Sequence, residues 1–509
     1  MMGAASAAKP LAWMLRLLCL SSLLSSAVLC TAATAADCPV SLDDEPPFEH
    51  SGQATENTDW LSLYLACLPP LTHDRGERHP LVLWSGVGDQ PLSPEQIRGL
   101  LDRGLVQHLP LRADAISAAK ALQQAGAPVV LMDGKVGGWP YNLLDDKSWQ
   151  LPIDDPQRFS HVTRVQADPT RLDAWQLAAR QIRGNLSAFR EAGIDVDAVW
   201  LDYEGLPMLS DYRTVKQSLD RLHASIPAAA MVDEAAFMRY RRQLWLNLIS
   251  AYVAAPIHEV YPNASSTNWV TALSSQQVPV LSWYNWHHPQ VLTLFTATNP
   301  VAYGIDTAYR AVQGDLQASD QAAIDRLYLH VLLRQVSADA WNRHQYAPHL
   351  HSVPWVARWV KDEAGQTPQM SRRLYREALR HLWLRDVDGM QVFNPARRGR
   401  AALQALAEAQ DVQHVYDQML ALGSLLENGE VMNYQVPMPG ESGLLWSGLR
   451  DDRQAVVRLI RLGGPHAWLK LEAWPGEQAL LPASEEGATF RLQRSEAGVV
   501  VRTLQSGAE

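Results

Sequence analysis

Two carboxylates one residue apart, Asp202 and Glu204, follow the apolar run Val199-Trp200-Leu201 and precede Gly205. In an extended strand residues i and i+2 point to the same face, so the two acids are expected side by side at the end of a buried strand. Like charges held that close cannot both ionise freely, and one pKa rises. A carboxyl kept protonated near neutral pH is what general-acid chemistry needs. The competing reading of the same spacing is a loop in which both acids face solvent.

The elements around the pair favour the strand. PLVLWSGVGD ends an apolar run in turn residues, and SPEQIRGLLDRG follows, with Ser93 as N-cap, Pro94 at the first helical position and Gln96 closing a capping box. VQHLPL, the helical stretch ADAISAAKALQQAG and PVVLMDG continue the alternation, the signature of parallel strands with crossover helices. Further strands are predicted at VWLDYEG, HEVYPN (258–263), VPVLSWYNW (278–286), VPWVARWV (353–360) and DGMQVFNP (388–395), with long helices between several of them. Eight such units predict a (β/α)₈ barrel over 75–424. An open doubly wound sheet is the alternative, weakened because no Gly-x-Gly-x-x-Gly follows the first strand. From 425 to 509 short alternating runs predict a small all-β sandwich.

In a barrel the carboxyl ends of the strands form the active face. Trp84 and Asp89, Asp133 and Lys135, Asp202 and Glu204, Glu259 and Tyr261, Trp283, Tyr284 and Trp286, Arg358 and Trp359, and Gln391 and Asn394 fall at those ends. Acids among aromatic rings suit sugar, whose C–H faces stack on rings while its hydroxyls bond carboxylates and amides. Of the 18 tryptophans, Trp200, Trp245 and Trp383 lie in apolar patterns and are assigned to packing. Trp283 and Trp286, flanking Tyr284 and followed by His287-His288-Pro289, are assigned to a pocket. The substrate-contacting set is therefore Trp84, Asp133, Glu259, Tyr261, Trp283, Tyr284, Trp286 and Asn394.

DAVWLDYEG (197–205) resembles the strand-four signature of the family 18 chitinases, Asp-x-x-Asp-x-Asp-x-Glu, and equally the shorter Asp-x-Glu of the family 56 hyaluronidases. Asp197, Asp202 and Glu204 match, whereas Trp200 stands where the chitinases carry their middle Asp, so the hyaluronidase pattern agrees better. HEVYPN is likewise similar to the stretch where those enzymes place a Tyr after strand five. The matching motif is two or three residues, and the architectural likeness spans roughly 80–400. The resemblance implies a glycoside hydrolase with Glu204 as general acid/base and Asp202 orienting the substrate's N-acetyl group, which attacks the anomeric carbon. It makes Tyr261 a hydrogen-bond donor to that acetamido group. Retaining chemistry with an enzyme nucleophile is the other route, with Asp133, Glu259 or Asp306 as the second carboxylate. A non-catalytic polysaccharide-binding protein of the cell envelope on the same scaffold is the alternative function.

Residues 1–36 carry Lys9 and Arg16, an apolar core and a small-residue end, TAATAA, which predicts a cleaved export signal and a secreted or periplasmic protein. Its removal leaves 42 basic and 54 acidic side chains, a net charge of −12. That charge argues against nucleic acid as partner, and no later run is long enough for a membrane span. Cys38 and Cys67 remain of four cysteines, and in an oxidising compartment they are expected to form a disulfide tying the arm 37–74 to the body. His344, His349 and His351 precede the seventh strand, away from the active face, so no metal is assigned there. No cofactor is implied, and no Gly-x-Ser-x-Gly supports serine-hydrolase chemistry.

Overall fold

The computed structural model describes residues 38, 60–84, 92–132, 172–202, 212–217, 226–269, 271–275, 277–280, 294–303, 320–358, 367–393, 400–441, 443–465 and 467–504. The expected signal 1–36 and Asp89, Asp133, Lys135, Glu204, Trp283, Tyr284, Trp286, Asp306, Trp359 and Asn394 lie outside the described residues.

The first part is mixed α/β. Helix α1 (Trp60–Cys67) precedes β1 (Leu81–Leu83), α2 (Pro94–Leu101), β2 (Leu105–Gln107), β3 (Leu109–Pro110), α3 (Ile116–Gln124) and β4 (Val130–Met132). The expected capping box forms: the Ser93 side chain accepts from Gln96 N–H while the Gln96 side chain accepts from Ser93 N–H. Gly104 ends the α2 turn at φ +69°, and a Cβ there would press on Leu71 and Tyr416. After α4 (Leu172–Glu191) comes β5 (Ala198–Leu201), buried throughout, so the apolar run before Asp202 is a strand and Asp202, directly after it, is buried and not in a solvent loop.

The next expected strand is corrected. Asp233 caps α5 (Glu234–Ile249), a π-turn follows at Ser250–Ala254, and the chain stays helical through α6 (Ala255–Val260). HEVYPN therefore begins in a helix, because Val253, Ala254, Ile257 and Val260 bury one face at helical spacing. The β-branched Ile257 and Val260 imitate a strand. The fifth strand is β6 (Ser265–Asn268), a polar run that alternation does not announce. The described part of 278–286 is not a strand either; the sixth is the broken run β7 (Ala297–Thr298) and β8 (Val301–Ala302). Then come α7 (Gln321–Tyr346), β9 (His351–Ser352), β10 (Trp355–Val356), α8 (Arg372–Trp383), β11 (Gln391–Val392) and α9 (Arg400–Leu420).

All pairings among these strands are parallel, in the orders β2-β1-β11-β10-β8, β3-β4-β5-β6 and β7-β9. The first two sheets share the run 105–110, interrupted only at His108. Thr296 N–H donates to the Ser266 carbonyl at 3.1 Å, so β6 and β7 run side by side. Leu83, Val356 and Val392 point to the helices, packing with Tyr328, Leu379 and Trp383. The alternate residues Trp84, Trp355 and Phe393 therefore face the other way.

The C-terminal part is all β: β12 (Glu430–Val431), β13 (Leu444–Arg450), β14 (Gln454–Arg461), β15 (Trp468–Trp474), β16 (Glu477–Pro482), β17 (Ala488–Ser495) and β18 (Gly498–Leu504). An antiparallel sheet ordered β12-β13-β14-β17-β18 lies beside the β15–β16 hairpin. Strand β14 is buried on both faces. Val457 and Leu459 meet hairpin residues Leu471 and Leu481, while Val456 and Ile460 join the helical core. Each such side chain stabilises by roughly 1.5–3 kcal/mol on burial, which binds the sheet to the α/β part. Cys38 and Cys67 form the expected disulfide.

Candidate active site

Because the strands are parallel, their carboxyl ends share one side of the sheets. Asp202 sits there, directly after β5 and 5% exposed. Trp200, two residues earlier on the same face, is buried and donates from Nε1 to Ser265 Oγ at 3.3 Å. Packing was expected for Trp200, and it packs, but against rings at the strand ends. Its ring lies 6.1 Å from that of His108, which lies 5.9 Å from Trp355 and 6.4 Å from Trp84.

Trp84, Trp355 and Phe393 form a mutual cluster with centroids 5.3, 5.7 and 5.9 Å apart. Tyr303, after β8, stacks on Phe393 at 5.1 Å, and Trp269, after β6, donates from Nε1 to the Tyr303 hydroxyl. Trp84, Trp269, Tyr303 and Phe393 are only half-buried, so the aromatic floor keeps an open side. Trp355 is 1% exposed, and its Nε1 has no hydrogen-bond partner among the described residues.

His108 is held neutral. Burial first of all lowers its pKa to about 3. Gln391 Nε2 donates to the Val353 carbonyl at 3.2 Å, which leaves Gln391 Oε1 to accept from His108 Nε2, also at 3.2 Å. This assigns the proton to Nε2. A neutral, fully buried imidazole with that partner is part of the floor and not an acid–base catalyst.

Two expected contacts are corrected. Glu259, on α6, forms a two-point pair with Arg183 of α4, and the Arg183 hydrogen bond lowers its pKa. Tyr261 donates its hydroxyl to the Ile194 carbonyl at 2.9 Å, and burial pushes its pKa up to about 12. Ile194 precedes β5 and Tyr261 precedes β6, so both groups lie at the amino ends of the strands, opposite Asp202. The helical course of HEVYPN is the reason. Arg358 also turns away from the floor: its Nη1 donates to the Met370 carbonyl at 2.9 Å, and its N–H bonds Glu408 of α9. Trp84 stands where the sequence placed it, and Gln391 lies beneath as the partner of His108.

Sequence reasoning missed His108, Trp269, Tyr303, Trp355 and Phe393. The signal available for three of them was parity: His108, Trp355 and Phe393 alternate with Gln107, Val356 and Val392. Among the described residues no three His, Cys, Asp or Glu side chains converge as metal ligands, and no helix is long and apolar enough to cross a membrane.

No protein-family model matches the chain, and no curated protein sequence matches it. Solved structures give weak likenesses. The GH36 α-galactosidase AgaA from Geobacillus stearothermophilus aligns at TM-score 0.39 and 12% identity, covering 87% of this chain and 57% of that one. A β-galactosidase from the Antarctic haloarchaeon Halorubrum lacusprofundi aligns at TM-score 0.39 and 12% identity over 67% and 58%. The endo-β1,6-glucanase BT3312 aligns at TM-score 0.35 and 10% identity over 83% and 93%. The chain thus spans little more than half the length of the first two. Likeness at this level carries no inference about chemistry.

Proposed function

We propose that this chain is an exported glycoside hydrolase built on a (β/α)₈ barrel. The single observation that carries the reading is the buried Asp202 carboxylate standing beside a half-open floor of Trp84, Trp269, Tyr303 and Phe393. Such a floor offers ring faces to sugar C–H groups beside an acid able to bond their hydroxyls. The barrel reading is supported by the strand order. Two parallel sheets join through the run 105–110, and Thr296 bonds Ser266 on the other side, an order compatible with a ring of eight. Residues 75–424 are the barrel, 425–509 an accessory β-sandwich, 37–74 an arm, and 1–36 a cleaved signal that places the protein outside the cytoplasm.

Glu204 is proposed as general acid/base and Asp202 as its orienting partner. With Tyr261 at the other end of the strands, an N-acetylhexosamine substrate rests on the Asp202–Glu204 pair alone. In that route the acetamido oxygen is the nucleophile, Asp202 holds the acetamido group, and Glu204 protonates the departing oxygen. If the nucleophile belongs to the enzyme, Asp133 and Asp306 are the candidates and Glu259 is not. Trp283, Tyr284, Trp286 and Asn394 complete the proposed substrate contacts.

The test is incubation of the purified chain with N-acetylhexosamine polymers and neutral glycans, followed by assay of new reducing ends. Cleavage of the former supports the full reading. Cleavage of neutral glycans alone removes the acetamido-assisted route. Saturable binding with no cleavage of either class replaces the enzyme by a binding protein.

A further inference from the structure

A groove of about 490 Å³ opens between the last turns of α9 and the β17–β18 side of the C-terminal sheet. Its position follows from strand parity. Phe490 and Leu492 face the hairpin, so Thr489 and Arg491 face the helices. Where β13 and β14 meet the helices the interface is filled by Leu445, Leu449, Val456 and Ile460. Toward β18 that apolar filling stops, and Arg380, Arg491, His414 and Gln418 line the space that remains.

Asp417 lines this groove and Glu377 sits behind Arg380 and Arg458, which also line it, and both acids are already engaged. Glu377 accepts from Arg458 Nε at 2.7 Å, Arg458 Nη2 at 2.5 Å and Arg380 Nη1 at 3.3 Å. Asp417 accepts from the Thr72 and His73 N–H groups, both at 2.9 Å, and from the Thr72 hydroxyl at 2.5 Å. Arg458 also donates from Nη1 to Thr489 Oγ1 at 3.1 Å and from Nη2 to the Glu486 carbonyl at 3.2 Å. The Arg491 side chain is different: it makes no hydrogen bond or ion pair among the described residues, and its Nε is buried with no partner. Arg380 Nη2 is likewise unengaged among them. Gln418 accepts from Arg380 Nε at 3.1 Å, so its amide nitrogen donates to His414 Nε2 at 2.9 Å. The His414 proton therefore sits on Nδ1, another donor. Burial, and then the Arg376 and Arg380 charges, hold His414 below its ordinary pKa, a field that an anion would relieve.

We propose that this groove binds a small ligand through an oxyanion group, a carboxylate, phosphate or sulfate, with Arg491 and the free edge of Arg380 as its charged contacts. Guanidinium donors match such oxygens in pairs. The volume falls in the range of small-molecule sites, and Met419, Leu422 and Leu504 give the ligand body an apolar wall. The site lies where α9 ends, away from the strand ends that carry Asp202, and it stands whether or not the chain cleaves glycans. Because its walls come from both parts of the chain, occupancy clamps the sheet to the helices.

Calorimetric titration of the full chain with inorganic phosphate, sulfate, glucuronate and glucose tests this. The expected result is one-to-one anion binding that weakens with added salt, and no binding of glucose. Arg491→Ala should weaken it by roughly 10–100-fold, the usual loss for one charge-assisted contact. Arg491→Lys should keep part of it. Arg494→Ala, which removes an arginine that faces the hairpin and pairs with Glu477, should leave it unchanged. Glucuronate binding more tightly than phosphate assigns the source as an acidic sugar, and the reverse order assigns a free inorganic or phosphorylated anion. No saturable anion binding at millimolar concentration, or equal affinity in wild type and Arg491→Ala, overturns the proposal.

Discussion

Glu377→Gln tests how the C-terminal sheet is held to the α/β part. The carboxylate is 2% exposed on α8 and accepts from Arg458 Nε and Nη2, at 2.7 and 2.5 Å, with His381 Nε2 3.2 Å away. Gln keeps the volume and one acceptor but removes the charge that compensates Arg458, itself 5% exposed. Breaking a buried pair by losing one partner costs about 3–5 kcal/mol, whereas replacing both by apolar groups is often close to neutral. Glu377→Gln should therefore unfold at lower urea and speed hydrogen exchange along β13 and β14. Glu377→Met combined with Arg458→Met should recover most of the loss. The pH dependence follows from the same contacts. Burial pushes the Glu377 pKa up, but the adjacent His381 and the Arg458 charge outweigh it and hold the group well below the carboxylate range. A depressed folded-state pKa gives stability that is present above the unfolded value, roughly 4.5, and is lost as pH falls below it. Wild type should show that acid limb, and Glu377→Gln should lack it. A Gln variant within about 0.5 kcal/mol of wild type at pH 7, or a double variant no better than the single, refutes the reasoning.

Glu408 gives the opposite sign: burial first of all pushes its pKa up to about 7, so its contribution is complete below roughly pH 4.5 and is lost as pH rises through 7. Relative to their difference at pH 5, Glu408→Gln should gain about 2.5 kcal/mol on wild type by pH 8 in denaturant titrations, and parallel profiles would falsify this. His108, at about 3, must be neutral in the fold, so its contribution is present above pH 6.5 and erodes by up to ~1.4 kcal/mol per unit as pH falls toward 3. His108→Gln should flatten that part of the thermal stability profile, and an unchanged slope counts against the buried neutral ring. Cys38 and Cys67 close a loop with a sequence separation of 29, for which chain entropy gives about 3–4 kcal/mol. The double Ser variant should lose an amount of that order in urea unfolding, and identical midpoints would mean that the arm contributes nothing.

Much of the parallel α/β order was legible because capping and turn chemistry are local. Ser93, Pro94 and Gln96 announced α2, and the apolar runs ending at Leu83, Met132, Leu201 and Val392 became strands. HEVYPN misled because α6 continues a long helix through a π-turn with β-branched residues at its buried positions. The strand SSTN escaped notice because tertiary bonds, such as Ser266 Oγ to His258 Nε2 at 2.8 Å, satisfy its polar side chains. For the site, an acid at a strand end was readable from two-residue spacing. The floor was not, because the rings at 84, 108, 200, 269, 303, 355 and 393 meet only through long-range pairing. The all-β character beyond Gly429 was plain from alternation, whereas the Glu377–Arg458 tie pairs residues 81 positions apart and leaves no local signature.

The central claim is that Asp202 and Glu204 act together on one glycosidic bond, and turnover of matched variants tests it most directly. On any glycan that wild type cleaves, Glu204→Gln should lower kcat by ~10²–10⁴, the usual worth of a positioned acid. Asp202→Asn should also lower it, most strongly for N-acetylated substrates, and both variants should keep wild-type unfolding midpoints. Wild-type turnover by Glu204→Gln would contradict the account.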